Sequence, residues 1–194
     1  MKKIVSLLVV CALLISMCFS AFATNLDVTN NDVKMKILTD EQYITRLSEV
    51  KHISKNEAAK IVNSHKTITL DGGSQYKAEF YYTENVGPGW NVEVGALCTV
   101  ASGSGHSNFV KVQSDAVWSN AVGSGAHTWE SFYKDATITN PSTLKLMTRG
   151  NLTITIGTQM SASLKAAFVD AGFSVSGTQY FRKTVSISGY KYLG

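Results

Sequence analysis

A mostly β chain built on an antiparallel β-sandwich, with a barrel as the alternative, is the fold class the sequence predicts, and three observations predict it. From about residue 66 onward, apolar and polar residues alternate with a period of two. Those runs are rich in β-branched and aromatic residues, which suit a pleated, half-buried surface. Gly and Ser clusters at Gly72-Gly73, Gly87-Pro88-Gly89, Ser102 to Gly105, Gly123 to Gly125 and Gly172 to Gly177 punctuate them as turns do. Successive short strands with almost no helix between them pair antiparallel, one face on a core and the other in water.

The chain opens with a different signal. Lys2 and Lys3, the apolar run Ile4 to Ile15 and the small-x-small site Ala21-Phe22-Ala23 match a cleavable secretory signal, with cleavage after Ala23 and a secreted product. The apolar run is shorter than the roughly 20 residues a membrane-spanning helix requires. Residues 24–38 are expected to be a flexible leader, since Thr24 to Lys36 is polar and poor in large apolar groups.

A short two-helix segment, 39–65, is expected to precede the β domain. Thr39 with Gln42, and Ser54 with Glu57, have the spacing of capping boxes. Tyr43, Leu47 and Val50 recur at helical spacing behind the first, and Ile61 and Val62 supply an apolar face behind the second. The pair superficially resembles a DNA-binding helix-turn-helix, but its second helix offers only Lys55 and Lys60 with His65 and Lys66 at its end. A docking or packing module fits better.

The β domain is expected over 66–194. Tyr76, Ala78, Phe80 and Tyr82 oppose Lys77, Glu79, Tyr81 and Thr83, and Trp90, Val92, Val94, Ala96, Cys98 and Val100 alternate with Asn91, Glu93 and Thr99. Leu152, Ile154 and Ile156 alternate with Thr153 and Thr155, and Phe181, Val185 and Ile187 with Arg182, Thr184 and Ser186. Asp115 to Lys134 shows no clear period and reads as a long loop.

Loss of the signal leaves 171 of 194 residues, enough for one domain with a real core. It also removes two of 18 basic residues, leaving 16 against 14 acidic ones, a net of +2. That near balance carries no nucleic-acid footprint. Cys11 and Cys18 leave as well, so Cys98 alone remains, no intramolecular disulfide can form and stability must come from packing.

Four kinds of chemistry are conceivable. Cys98 with His106 or His127 as base, oriented by Asn108, Asp115 or Asp135, would suit a thiol hydrolase of cell walls. A mid-strand cysteine in phase with valines, however, reads as a small buried hydrophobe. His106 and His127 each end a Gly-Ser-Gly element and are weak metal candidates, without the spacing of a tight ligand cluster. No Gly-x-Ser-x-Gly elbow or phosphate-binding loop is present, and no cofactor is implied.

Third, Tyr180, Arg182, Tyr190 and Tyr192 share one parity of the last strand, while Trp118 and Trp129 flank the second Gly-Ser-Gly element. Such aromatics suit a wet ligand-binding surface. Fourth, Leu152 to Gly157 and Ser161 to Phe168 could form a membrane-inserting hairpin about Thr158-Gln159. The expectation is thus a secreted bacterial-type, non-enzymatic binding or surface-interaction module, for a cell-surface glycan or protein and not for nucleic acid. A pore-forming β-toxin, which alone would enter a membrane, is the alternative, and a Cys/His cell-wall hydrolase comes third.

Overall fold

Alternating strands are realised as two antiparallel sheets of four strands each in the computed structural model, which describes residues 32–64, 73–103, 105–155, 157, 160–176 and 180–194. The expected signal and the leader up to residue 31 lie outside the described residues. The first sheet has the order β1-β2-β3-β4, from β1 (Lys34–Leu38), β2 (Ser74–Gly87), β3 (Trp90–Gly103) and β4 (His106–Gly123). The second has the order β5-β6-β8-β7, from β5 (His127–Asn140), β6 (Thr143–Thr155), β7 (Ser174–Ser176) and β8 (Tyr180–Tyr192). The arrangement is sandwich-like and is not closed into a barrel.

Period-two patterning decides which face is inside. Phe80, Val92, Val94, Ala96 and Val100 of the first sheet share one buried cluster with Leu144, Leu146, Leu152, Ile154, Phe181, Val185 and Ile187 of the second. Tight turns hold the register. Pro88-Gly89 joins β2 to β3, Gly89 supplying the positive φ of 70° that a side chain would resist. Asn140 Oδ1 accepts from Ser142 N–H at 3.1 Å in the β5–β6 turn.

Lys34–Leu38, assigned to the leader by composition, pairs with β2 as a strand, Met35 opposite Phe80 and Ile37 opposite Ala78. The helices therefore do not stand ahead of the β region as a separate segment. α1 (Asp40–Lys51) and α2 (Lys55–Ser64) follow β1, and Tyr43, Leu47 and Ala58 bury against Leu97 of β3 and Ala116 of β4. Both capping boxes form: Gln42 N–H donates to Thr39 Oγ1 at 3.3 Å and Glu57 N–H to Ser54 Oγ at 3.2 Å.

Two further expectations are corrected. Asp115 to Lys134 is not a long loop but the end of β4, a three-residue turn and the start of β5. Its periodicity is broken by a bulge in β4, where Ala96 and Cys98 pair with Val117 and Val112, leaving residues 113–116 opposite Leu97 alone. Asp115 takes a left-handed φ of 57° there. The hairpin needed for membrane insertion does not form either. Thr143–Thr155 is β6, paired with β5 and β8, whereas Ala162–Asp170 is helix α3. Ser161 Oγ caps α3 by accepting from Leu164 N–H at 3.2 Å, and Phe168 stacks on Phe181 with ring centroids 5.0 Å apart.

Candidate functional site

Chain topology takes the thiol and the imidazoles apart. Cys98 is fully buried in the core cluster, and burial pushes its thiol up to about 12, the opposite of activation. His106 is exposed opposite Gly103, five residues along β3 from Cys98, or about 16 Å at strand rise. The His127 ring lies edge-on to Trp90, with centroids 4.6 Å apart, eight residues from Cys98 in the other direction, or about 26 Å. Neither His106 nor His127 is therefore within reach of the Cys98 thiol. His106 and His127 sit about 40 Å apart along β3, because successive turns of an antiparallel meander fall at opposite ends of the strands. Among the described residues, no group of three His, Cys, Asp or Glu side chains is placed to hold a metal ion.

The two tryptophans go to different faces. The Trp118 indole packs on Gly95 of the first sheet, beneath the Arg46 guanidinium, which lies 4.9 Å from the ring centroid. Its N–H is buried without an acceptor among the described residues. Trp129 turns inward instead, packs against the core and donates to Ser119 Oγ at 3.1 Å.

Arg46 also lines a cleft of about 300 Å³ beside α1, with Lys36, Glu41, Glu49 and Glu79. Its Nε donates to Glu79 Oε1 at 2.6 Å and its Nη1 to Glu49 Oε2 at 3.1 Å. Burial opposes the Arg46 charge, but Glu79 and then Glu49 outweigh it and raise its pKa. Through the Glu79 contact Arg46 ties α1 to β2 of the sheet.

The outer face of the second sheet is different. Outward positions cross β5, β6 and β8 in rows: Thr128, Thr153 and Arg182; Glu130, Asn151 and Thr184; Tyr133, Arg149 and Ser186; Thr137, Lys145 and Tyr190. Tyr180, Arg182, Tyr190 and Tyr192 all lie on this face and are exposed, Tyr192 by 69%. Tyr190 and Tyr192 stack with centroids 6.4 Å apart and rings within 15° of parallel. Lys145 Nζ stands 5.8 Å from the Tyr190 ring centroid, and Arg149 holds the same relation to Phe132 at 5.8 Å. Arg182 reaches Glu130 across the sheet at 3.8 Å.

Lys145, Arg149, Phe132 and Tyr133 were missed by sequence reasoning. Phe132 and Tyr133 straddle a register shift between Ser131 and Tyr133, so two consecutive aromatics stay exposed, at 55% and 46%. The available signal was the outward parity of Lys145 and Arg149 against Leu144, Leu146 and Leu152. Comparison with protein-family models, with curated proteins and with solved structures finds no match.

Proposed function

We propose that the chain is an exported, non-enzymatic binding module that holds a hydroxyl-rich polymer, a cell-surface glycan, on the outer face of its second sheet. The observation that carries the proposal is the stacked pair Tyr190–Tyr192, exposed on a sheet face that also presents Thr128, Thr137, Asn151, Thr153, Thr184 and Ser186. Aromatic rings with polar tips bind through an apolar face while keeping a hydrogen-bonding edge in water. Flat rows of hydroxyls and amides match the spaced hydroxyls of an extended polymer, and Lys145, Arg149 and Arg182 add donors for acidic substituents. By contrast, α1 and α2 pack on the outer side of the first sheet around Leu97 and Ala116. Export rests on Lys2, Lys3 and the apolar run to Ile15.

The test is co-sedimentation of the purified mature protein with insoluble cell-wall polysaccharide. Tyr190→Ala with Tyr192→Ala should reduce retention at least about tenfold, since each exposed aromatic contact is worth roughly 0.5–1.5 kcal/mol beyond its buried area. Both positions are exposed, so thermal unfolding should be unchanged. Retention unaffected by the double substitution would refute the proposed face.

A further inference from the structure

Lys145, Arg149 and Arg182 stand at one interval on the outer face of the second sheet. Lys145 and Arg149 are four residues apart on β6, about 13 Å at strand rise. Arg182 pairs with Thr153, four residues further on and one strand over, about 14 Å from Arg149. The outward positions of these two strands are the odd-numbered residues from Thr143 to Thr155 and the even-numbered residues from Tyr180 to Tyr192. Those positions hold these three cations and no carboxylate.

The acids of this face lie on the flanking strand. Glu130 and Asp135 belong to β5, where Asp135 Oδ2 accepts from Thr137 Oγ1 at 2.5 Å. Each cation has an aromatic neighbour: Lys145 Nζ and the Arg149 guanidinium lie 5.8 Å from the ring centroids of Tyr190 and Phe132, and Tyr180 is two residues from Arg182 along β8. A ring steadies a cation without cancelling its charge, as a carboxylate does. Arg182 also reaches Glu130 at 3.8 Å, with side chains 50% and 75% exposed, a pair too loose and wet to withhold the guanidinium from a ligand. The result is a positive track about 40 Å long over β6 and β8, bordered by negative charge on one side.

We infer that the polymer held on this face is a polyanion, a glycan-type chain bearing carboxylates or phosphodiesters at regular intervals. It lies along β6 and β8 with its charges on Lys145, Arg149 and Arg182 and an uncharged stretch against Tyr190 and Tyr192. The inference rests on the glycan-binding reading of the same face and adds the charge of the ligand. A cation spacing of about 13 Å favours polymers whose charge repeats at that distance or a simple fraction of it, and Glu130 and Asp135 turn the chain away from β5. Between Arg149 and Arg182 stand Asn151 and Thr184, Thr184 Oγ1 donating to Asn151 Oδ1 at 2.8 Å. Amides and hydroxyls at that point suit a sugar or polyol, whereas a single-stranded nucleic acid calls for a ring under each successive base.

The experiment measures retention of the mature protein on immobilised polygalacturonate, its neutral methyl ester and a glycerol-phosphate polymer, between about 0.05 and about 0.5 M salt, with thermal unfolding as the control for folding. Retention on at least one acidic polymer should exceed that on the ester at least about tenfold at low salt and fall to the neutral level at high salt; the acid preferred assigns carboxylate or phosphate. Lys145→Gln with Arg149→Gln should lower it at least about fivefold, Glu130→Gln should raise it, and the charge-preserving pair Lys145→Arg with Arg149→Lys should keep it. Lys55→Gln with Lys60→Gln, which removes the same charge from exposed positions of α2, should leave it unchanged. Equal retention on acidic and neutral polymers, dependent on Tyr190 and Tyr192, overturns the inference and keeps the glycan site. No retention on any of the three overturns both. Equal losses from the α2 and β6 pairs, which mean adventitious ion exchange, overturn the inference, as does stronger retention on single-stranded DNA than on either acidic polymer.

Discussion

Cys98 offers a direct measure of how tightly the two sheets close. It is the one cysteine beyond the expected signal, and it lies fully buried on the core side of β3. A disulfide reagent such as dithiobis(nitrobenzoate) reacts with the thiolate, so labelling requires both exposure and loss of the proton. With a domain stability of at least about 5 kcal/mol, the open state is populated below about one part in 10³. Labelling of the native protein near pH 8 should therefore run at least about 10³-fold slower than in denaturant. Cys98→Ser should cost about 1–3 kcal/mol, because a buried hydroxyl gains no partner there.

The pH dependence has a definite sign. Burial raises the folded thiol to about 12 from an ordinary value near 9, so the folded state keeps its proton where the unfolded chain has lost it. The Cys98 contribution is fully present below about pH 9 and is lost as pH rises toward 12, by up to about 1.4 kcal/mol per pH unit. Cys98→Ala should flatten that alkaline decline in urea titrations, while the decline due to buried tyrosines remains. Native Cys98 labelling within tenfold of the denatured rate, or identical alkaline slopes for wild type and Cys98→Ala, would refute the closed core and reopen a chemical role for the thiol.

Two packing predictions follow from the first sheet and α1. A Cβ at Gly95 would lie 2.5 Å from the Trp118 ring, so Gly95→Ala should destabilise by about 1–3 kcal/mol and shift Trp118 fluorescence as the ring leaves Arg46; an unchanged urea midpoint and spectrum would show that the indole has room to move. Thr39→Ala should cost about 1 kcal/mol by removing the Gln42 N–H acceptor, and that amide should exchange faster with deuterium; an unaltered exchange rate would mean the cap is dispensable.

What was legible in the chain was local. Thr39 with Gln42 and Ser54 with Glu57 specify helix starts because the capping contacts span three residues. The strands around Phe80, Val94, Ile154 and Val185 are readable for the same reason, since a period of two reports which face is buried. α3 escaped notice because Ser161 followed by Ala162-Ser163-Leu164-Lys165-Ala166-Ala167 satisfies a helix as well as a strand, and packing of Phe168 against Phe181 and Phe173 chose between them. At β4, four residues opposite one threw the period out of phase, and the bulge that hid the strand also brings Ala116 under the helices.

The candidate site was legible in part. The parity of Tyr180, Arg182, Tyr190 and Tyr192 places them on one face of β8, because side chains two apart along a strand point the same way. Nothing local says that Lys145, Arg149 and Phe132 stand beside them, since that neighbourhood depends on β6 and β5 lying next to β8 in the order β5-β6-β8-β7. Nor does adjacency in sequence unite Trp118 with Trp129: a turn and a bulge send one to the outer face of the first sheet and the other to the core. The sequence by itself determined the strands around Phe80, Val94, Ile154 and Val185 with their buried faces, and the helix caps at Thr39 and Ser54, all set by contacts within a few residues. Tertiary structure alone decided strand order, the separation of Cys98 from both histidines and which sheet keeps an open face, because each rests on pairings between residues far apart along the chain.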